Sequence, residues 1–202
     1  VWQPLQAYFT RPFALSFLLL IVLYKLGDAF AGTLTTAFLL RGVGFSVVEI
    51  GALNKVLGMT ATIIGALLGG VWMLRLGLYR ALWWFGLLQA GSNLLFALLA
   101  WVGKSYPLLV VTIGVENLAG GMGTAAAVAL LTALCDRRFS ATQYALLSAL
   151  AAIGRVYVGP SAGWLAPQLG WTAFFLATTV LALPGLILLR MLRLAVQRLE
   201  TT

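Results

Sequence analysis

Six long apolar runs separated by connectors of only a few residues leave this chain little choice but to cross a lipid bilayer. About 20 apolar residues span ~30 Å of hydrocarbon as a helix, and a helix satisfies its own backbone polar groups where no water can. Breaking the sequence at charge, glycine and proline places spans near 12–39, 47–73, 81–102, 107–133, 142–166 and 171–190. The connectors, Arg41 to Ser46, Arg75 to Arg80, Gly103 to Tyr106, Cys135 to Ala141 and Pro167 to Gly170, are too short to fold independently. The 202 residues therefore read as a single all-α membrane bundle of six transmembrane helices. With 62% hydrophobic and 9% charged residues, against roughly 45–50% and 25% in soluble domains, a soluble globule is excluded.

Six crossings put both chain ends on one side of the membrane. That side collects Arg11, Arg75, Arg80, Arg137, Arg138, Arg190, Arg193 and Arg198, whereas the other holds only Arg41 and Lys104. The positive-inside rule then predicts cytoplasmic ends, and the net charge of +8 reflects topology rather than nucleic-acid binding. Trp2, Trp72, Trp83, Trp84, Trp101, Trp164 and Trp171 all fall near span ends, as an interfacial aromatic belt requires. The absence of histidine and the single Cys135 exclude His-based triads, zinc sites and an internal disulfide, so no metal and no catalytic set is expected. The opening Val1 and the lack of a signal-type apolar core before Arg11 suggest a chain cut from something longer.

Five ionisable residues interrupt the spans: Lys25 and Asp28, Lys55, Glu116, and Arg155. Each costs about 2.5–3.5 kcal/mol at a helix centre and must face protein or water. The third and sixth spans carry no such charge and read as peripheral and lipid-facing, leaving the other four around a polar interior. Gly51, Gly58, Gly65 and Gly69 form one face of the second span, open to close backbone approach, with Asn54 and Lys55 beside it. Ser148, Ala151, Arg155, Gly159 and Gly163 form a stripe on the fifth, read as a packed seam. Gly120, Gly121 and Gly123 are expected to loosen or bend the fourth.

Asp28 and Glu116 are the carboxylates able to take up a proton. Lys25, three residues from Asp28, either neutralises it or balances its charge while it responds to substrate. Glu116 either titrates or forms a fixed ion pair with Arg155 or Lys55; Arg155 either pairs in that way or clamps an anionic ligand. Tyr24, Asn54, Asn117 and Tyr157 are candidates for hydrogen bonds to substrate or between helices. Three cations and two carboxylates leave the interior at +1, which suits a carboxylate-bearing substrate.

The loop GGVWMLRLGLYR (Gly69 to Arg80) resembles the Gly, Arg and Gly-x-x-Arg loop of major facilitator transporters, with Leu74 where that family often has Asp. YKLGDAFAGTLTTAFLLRGVGF (Tyr24 to Phe45), NKVLGMTATIIGALLGG (Asn54 to Gly70), ENLAGGMGTAAAVALLTALC (Glu116 to Cys135) and FSATQYALLSALAAIGRVYVGPSAGW (Phe139 to Trp164) resemble the second half of the anhydromuropeptide permeases of that superfamily. The resemblance implies one C-terminal six-helix half of a transporter whose N-terminal half is its partner. It implies proton-driven import of N-acetylglucosaminyl-1,6-anhydro-N-acetylmuramyl peptides across the bacterial inner membrane for peptidoglycan recycling, with an indirect link to β-lactamase induction. The proton serves as coupling ion, with no other cofactor. A facilitator of another cargo, such as a drug exporter or oligosaccharide carrier, is the nearest alternative. An intramembrane enzyme lacks its catalytic residues here, and a homo-oligomeric channel would have to work without a second half.

Overall fold

Residues 6, 8–10, 12–136 and 138–200 are described by a computed structural model, apart from the side chains of 153–155 and 159. Six helical segments are long and apolar enough to cross a membrane: Ala14–Val43, Val47–Leu76, Leu78–Val102, Tyr106–Ala133, Ser140–Leu169 and Trp171–Met191. They follow the sequence-derived spans to within a few residues. The fifth runs further than expected because Pro167 does not end it; Gly170, at φ 75°, does. Gly44, Gly77 and Gly103 close three other connections at φ 85°, 78° and 86°, a backbone region in which a Cβ is strained. Trp2, Arg11 and Arg137 lie outside the described residues. Of the other tryptophans, Trp72, Trp84, Trp101 and Trp164 are exposed near span ends, as a belt demands.

Two spans are irregular within the bilayer. The first breaks at Lys25 (φ −103°, ψ 4°) into Ala14–Tyr24 and Leu26–Ala37, then widens to a π-helical stretch at Phe38–Val43. The second widens in the same way at Asn54–Gly58. The fourth, by contrast, is one unbroken α-helix from Tyr106 to Ala133, so its glycines do not loosen it. They admit the neighbouring helix instead: a Cβ on Gly121 would lie 2.3 Å from the Thr62 carbonyl oxygen, and one on Gly65 would lie 2.2 Å from that of Leu118. Gly58, Gly65 and Gly69 all face the fourth span, as their spacing foretold, whereas Gly51 meets nothing within 4 Å. The first and sixth spans meet by the same device, Gly27 against the Thr178 carbonyl and Gly185 against that of Leu23.

Spans three and six pack against each other, span three also against four and span six against one, with span two flanking four and span five flanking one. The outward side of span three is an apolar stripe, Trp84, Leu87, Leu88, Leu94, Leu98 and Trp101, as a lipid-facing surface requires, while its other side is packed. Half of its apolar window is buried, the largest share of the six, against 22% and 21% for the second and fifth. Freedom from charge marked a helix with an apolar outer face, whose inner face also backs the polar residues of its neighbours. The fifth-span stripe is also not a packed seam over its described part, since Gly163 is open and burial falls instead on Leu147, Val158, Ala162 and Ala166.

The bundle is fastened at both ends. At one, Ser46 and Glu49 form a reciprocal cap, with Ser46 N–H donating to Glu49 Oε2 at 2.7 Å. Lys104 Nζ then donates to the Gly44 carbonyl at 2.9 Å, lies over the Phe45 and Tyr106 rings and faces Glu49 at 3.9 Å. Tyr106 Oη also donates to Glu49. At the opposite end the short helix Arg193–Leu199 folds back, so that Glu200 accepts from Tyr79 N–H at 2.9 Å and Arg193 stands over the Tyr79 ring.

Candidate functional site

A polar cluster sits at the middle of the spans where the first, third and fourth meet. The irregular turn at Lys25 and the α-turn after it bring Lys25 and Asp28 onto one face, with Lys25 Nζ 3.4 Å from Asp28 Oδ2. Lys25 also donates to Thr124 Oγ1 of the fourth span at 3.4 Å. From the third span Gln89 Nε2 donates to Asp28 Oδ2 at 3.2 Å, and Ser92 Oγ donates to Glu116 Oε2 of the fourth at 2.5 Å. The Asp28 and Glu116 carboxyl groups interact with one another, and Lys25 acts on both. Gln89, 5% exposed, reaches this far only because Gly123 makes room: a Cβ there would lie 2.1 Å from Gln89 Oε1.

One cation and two carboxylates give the cluster a formal charge of −1, and one added proton makes it neutral. Neutrality is the least costly state in a low-dielectric interior. Such a set, fixed by neutral donors and partly open, with Lys25 and Asp28 side chains 19% and 26% exposed, can exchange a proton with little movement.

The sequence-derived candidates divide in two. Lys25, Asp28 and Glu116 are brought together. Tyr24 and Asn117 serve helix-to-helix contacts, Tyr24 Oη donating to the Leu82 carbonyl at 3.0 Å and Asn117 Oδ1 lying 3.1 Å from Thr62 Oγ1. Lys55 and Asn54 are not in the cluster; the π-helical turn leaves both exposed, so of the alternatives for Glu116 the ion pair with Lys55 does not form. Tyr157 is 76% exposed. Arg155 lies in the fifth span with its side chain outside the described residues, which leaves its pairing with Glu116 undescribed. Gln89, Ser92 and Thr124 were missed because neutral side chains carry no charge signal. The triple Gln89, Ser92 and Asn93, spaced for one face of an otherwise apolar span, was the clue.

Comparison with known proteins now bears on this arrangement. The family model described as Major Facilitator Superfamily matches residues 4–201. The chain belongs to the Major Facilitator Superfamily. It is 56% identical over 202 residues to the anhydromuropeptide permease of Escherichia coli strain K12, and equally to that of E. coli O157:H7. In both cases all of the chain is covered and 40% of the relative. A Rickettsia conorii protein designated transporter AmpG 4 is 37% identical over 189 residues, covering 94% of the chain and 45% of that protein. The chain thus spans less than half the length of these relatives. Within this superfamily member, the exposed spans two and five and the charged cluster behind them are the features from which a transport role can be built.

Proposed function

We propose that the chain is the C-terminal six-helix half of a proton-driven symporter that imports N-acetylglucosaminyl-1,6-anhydro-N-acetylmuramyl peptides for peptidoglycan recycling. Its membrane is the bacterial inner membrane, with both chain ends cytoplasmic as the charge asymmetry requires. Such import feeds β-lactamase induction indirectly. The observation that carries the coupling is the Lys25–Asp28–Glu116 cluster, two carboxylates and one cation held at bilayer depth by three helices, in a chain 56% identical to a permease of that name. Intramembrane carboxylates are costly and persist where protons or substrates are handled.

Asp28 and Glu116 take up the proton jointly, while Lys25 balances their charge. Lys55, Asn54 and Tyr157, exposed on the two least buried spans, face the partner half and, with Arg155 of the fifth span, are the residues for the substrate's peptide carboxylates and sugar hydroxyls. Alternating access rocks the two halves about this midplane region. The protein is a transporter and not an enzyme, and needs no cofactor beyond the proton.

The test is uptake of labelled anhydromuropeptide into membrane vesicles, comparing this chain with a form completed by an N-terminal half, with and without an imposed proton gradient. Uptake by the completed form alone, abolished by collapsing the gradient, supports the reading. No uptake by either form transfers the assignment to another cargo, and uptake by this chain alone overturns the half-transporter architecture.

A further inference from the structure

We infer that Ser92 is a positioning residue that ties the proton state of Glu116 to the third span, its hydroxyl switching between the Glu116 carboxyl and the Gln89 main-chain carbonyl. This rests on the reading of Asp28 and Glu116 as the proton-coupling pair. Ser92 is 2% exposed, and its Oγ lies 2.5 Å from Glu116 Oε2 and 2.7 Å from the Gln89 carbonyl oxygen. A hydroxyl has one proton to give and lone pairs to receive, so it cannot donate to both acceptors at once.

The two proton states of Glu116 therefore demand opposite settings. An ionised Glu116 only accepts, and Ser92 donates to it. When Glu116 takes a proton from hydronium reaching the cluster, leaving water, its own O–H donates to Ser92 Oγ, and the Ser92 proton turns to the Gln89 carbonyl. Rotation about one C–O bond suffices, no bond other than the carboxyl O–H forms, and the backbone need not move. Gln89 stands one turn from Ser92 on the same helix and donates through Nε2 to Asp28. The switch at its carbonyl and the bond at its amide thus join the two carboxyl groups through the third span.

Among the described side chains, the charged groups acting on Glu116 are Asp28 and Lys25, both on the first span. The third span has no charged residue between Leu82 and Val102, and Glu116 is the only charged residue of the fourth span. Lys55 of the second span is turned outward and exposed, and the side chain of Arg155 of the fifth lies outside the described residues. Ser92 is the neutral group that contacts Glu116 most closely, which is why its removal has a readout that loss of packing lacks.

The experiment uses the completed transporter in lipid and records infrared difference spectra of its carboxyl groups against pH, together with the pH profile of proton-driven uptake. Glu116→Gln is expected to remove one protonated-carboxyl band. Ser92→Ala is expected to keep that band but shift it to higher wavenumber, and to move the uptake midpoint about one unit to higher pH, because a charge-assisted bond to the ionised form is lost. Ser92→Thr, which keeps the hydroxyl, is expected to restore both, and Ser92→Cys, a weaker donor, to fall between them. If Ser92→Ala fails to reach the membrane, the ordering of serine, threonine and cysteine decides. An unshifted band and midpoint in the alanine or cysteine variant, with the band still lost in Glu116→Gln, overturns the switch and leaves the coupling pair standing. A band that survives Glu116→Gln overturns the coupling assignment and the switch with it.

Discussion

Gly65→Ala tests whether the second and fourth spans touch as closely as the structure places them. A Cβ on Gly65 would lie 2.2 Å from the Leu118 carbonyl oxygen, whereas carbon and carbonyl oxygen rest about 3.3–3.6 Å apart. The helices must separate by ~1 Å locally, since backbone lies on both sides and no side-chain rotation relieves the clash. A gap of that size forfeits about half of each ~0.1–0.2 kcal/mol atomic contact along the seam, so some 20 contacts lose on the order of 1–2 kcal/mol. Overpacking strain adds ~1–3 kcal/mol, and the helix preference of alanine over glycine returns ~0.5–1. The net expectation is a destabilisation of about 1–4 kcal/mol. Gly70→Ala, in the same helix with nothing within 4 Å of the added carbon, keeps only the helix preference and is expected to be neutral or slightly stabilising. Unfolding in mixed micelles, followed by circular dichroism against denaturing detergent, measures both. Equal stability of the two variants would refute the reasoning, because helix preference cancels between them and only the close approach differs.

Gly123→Ala is expected to push Gln89 off Asp28 and to weaken proton-linked uptake by about tenfold while the chain still inserts, as measured by initial uptake rates and membrane yield. Tyr24→Phe removes one buried bond between the first and third spans and should cost ~1 kcal/mol in the same unfolding assay. Lys104→Met should speed amide hydrogen exchange around Gly44 to Ser46 and make that exchange insensitive to salt, since the latch over Phe45 and Tyr106 is lost with its charge. Glu200→Ala should release the helix Arg193–Leu199 from Tyr79, detectable as faster proteolysis after Arg193 or Arg198 with the six spans intact.

The three charges that do meet were not equally legible in advance. Lys25 and Asp28 are three apart on one helix, so their pairing is local and follows from the helical repeat. Glu116 pairs with Ser92, a neutral residue on another helix, and interacts with Asp28 across a boundary that no spacing rule describes. The alternative of an ion pair from Lys55 to Glu116 fails for a backbone reason: the π-helical turn at Asn54–Gly58 leaves that side chain outward. The third span was read only by its absence of charge, which fits its apolar outer stripe but passed over Gln89, Ser92 and Asn93, which mark an inner face that needed partners.

Chemistry written along the chain determined the six spans, the glycine turns, the basic ends and the glycine face of the second span, because bilayer thickness, backbone hydrogen bonding and the helical repeat act over one or two turns. Tertiary structure alone decided that the fourth span fills that glycine face, that the third is the most buried, and that Gln89 and Ser92 of the third reach Asp28 and Glu116. Each of these depends on which helices lie side by side. Between membrane helices that choice is made by shape and hydrogen bonding rather than by hydrophobicity, because lipid is as apolar as the side chains that face it.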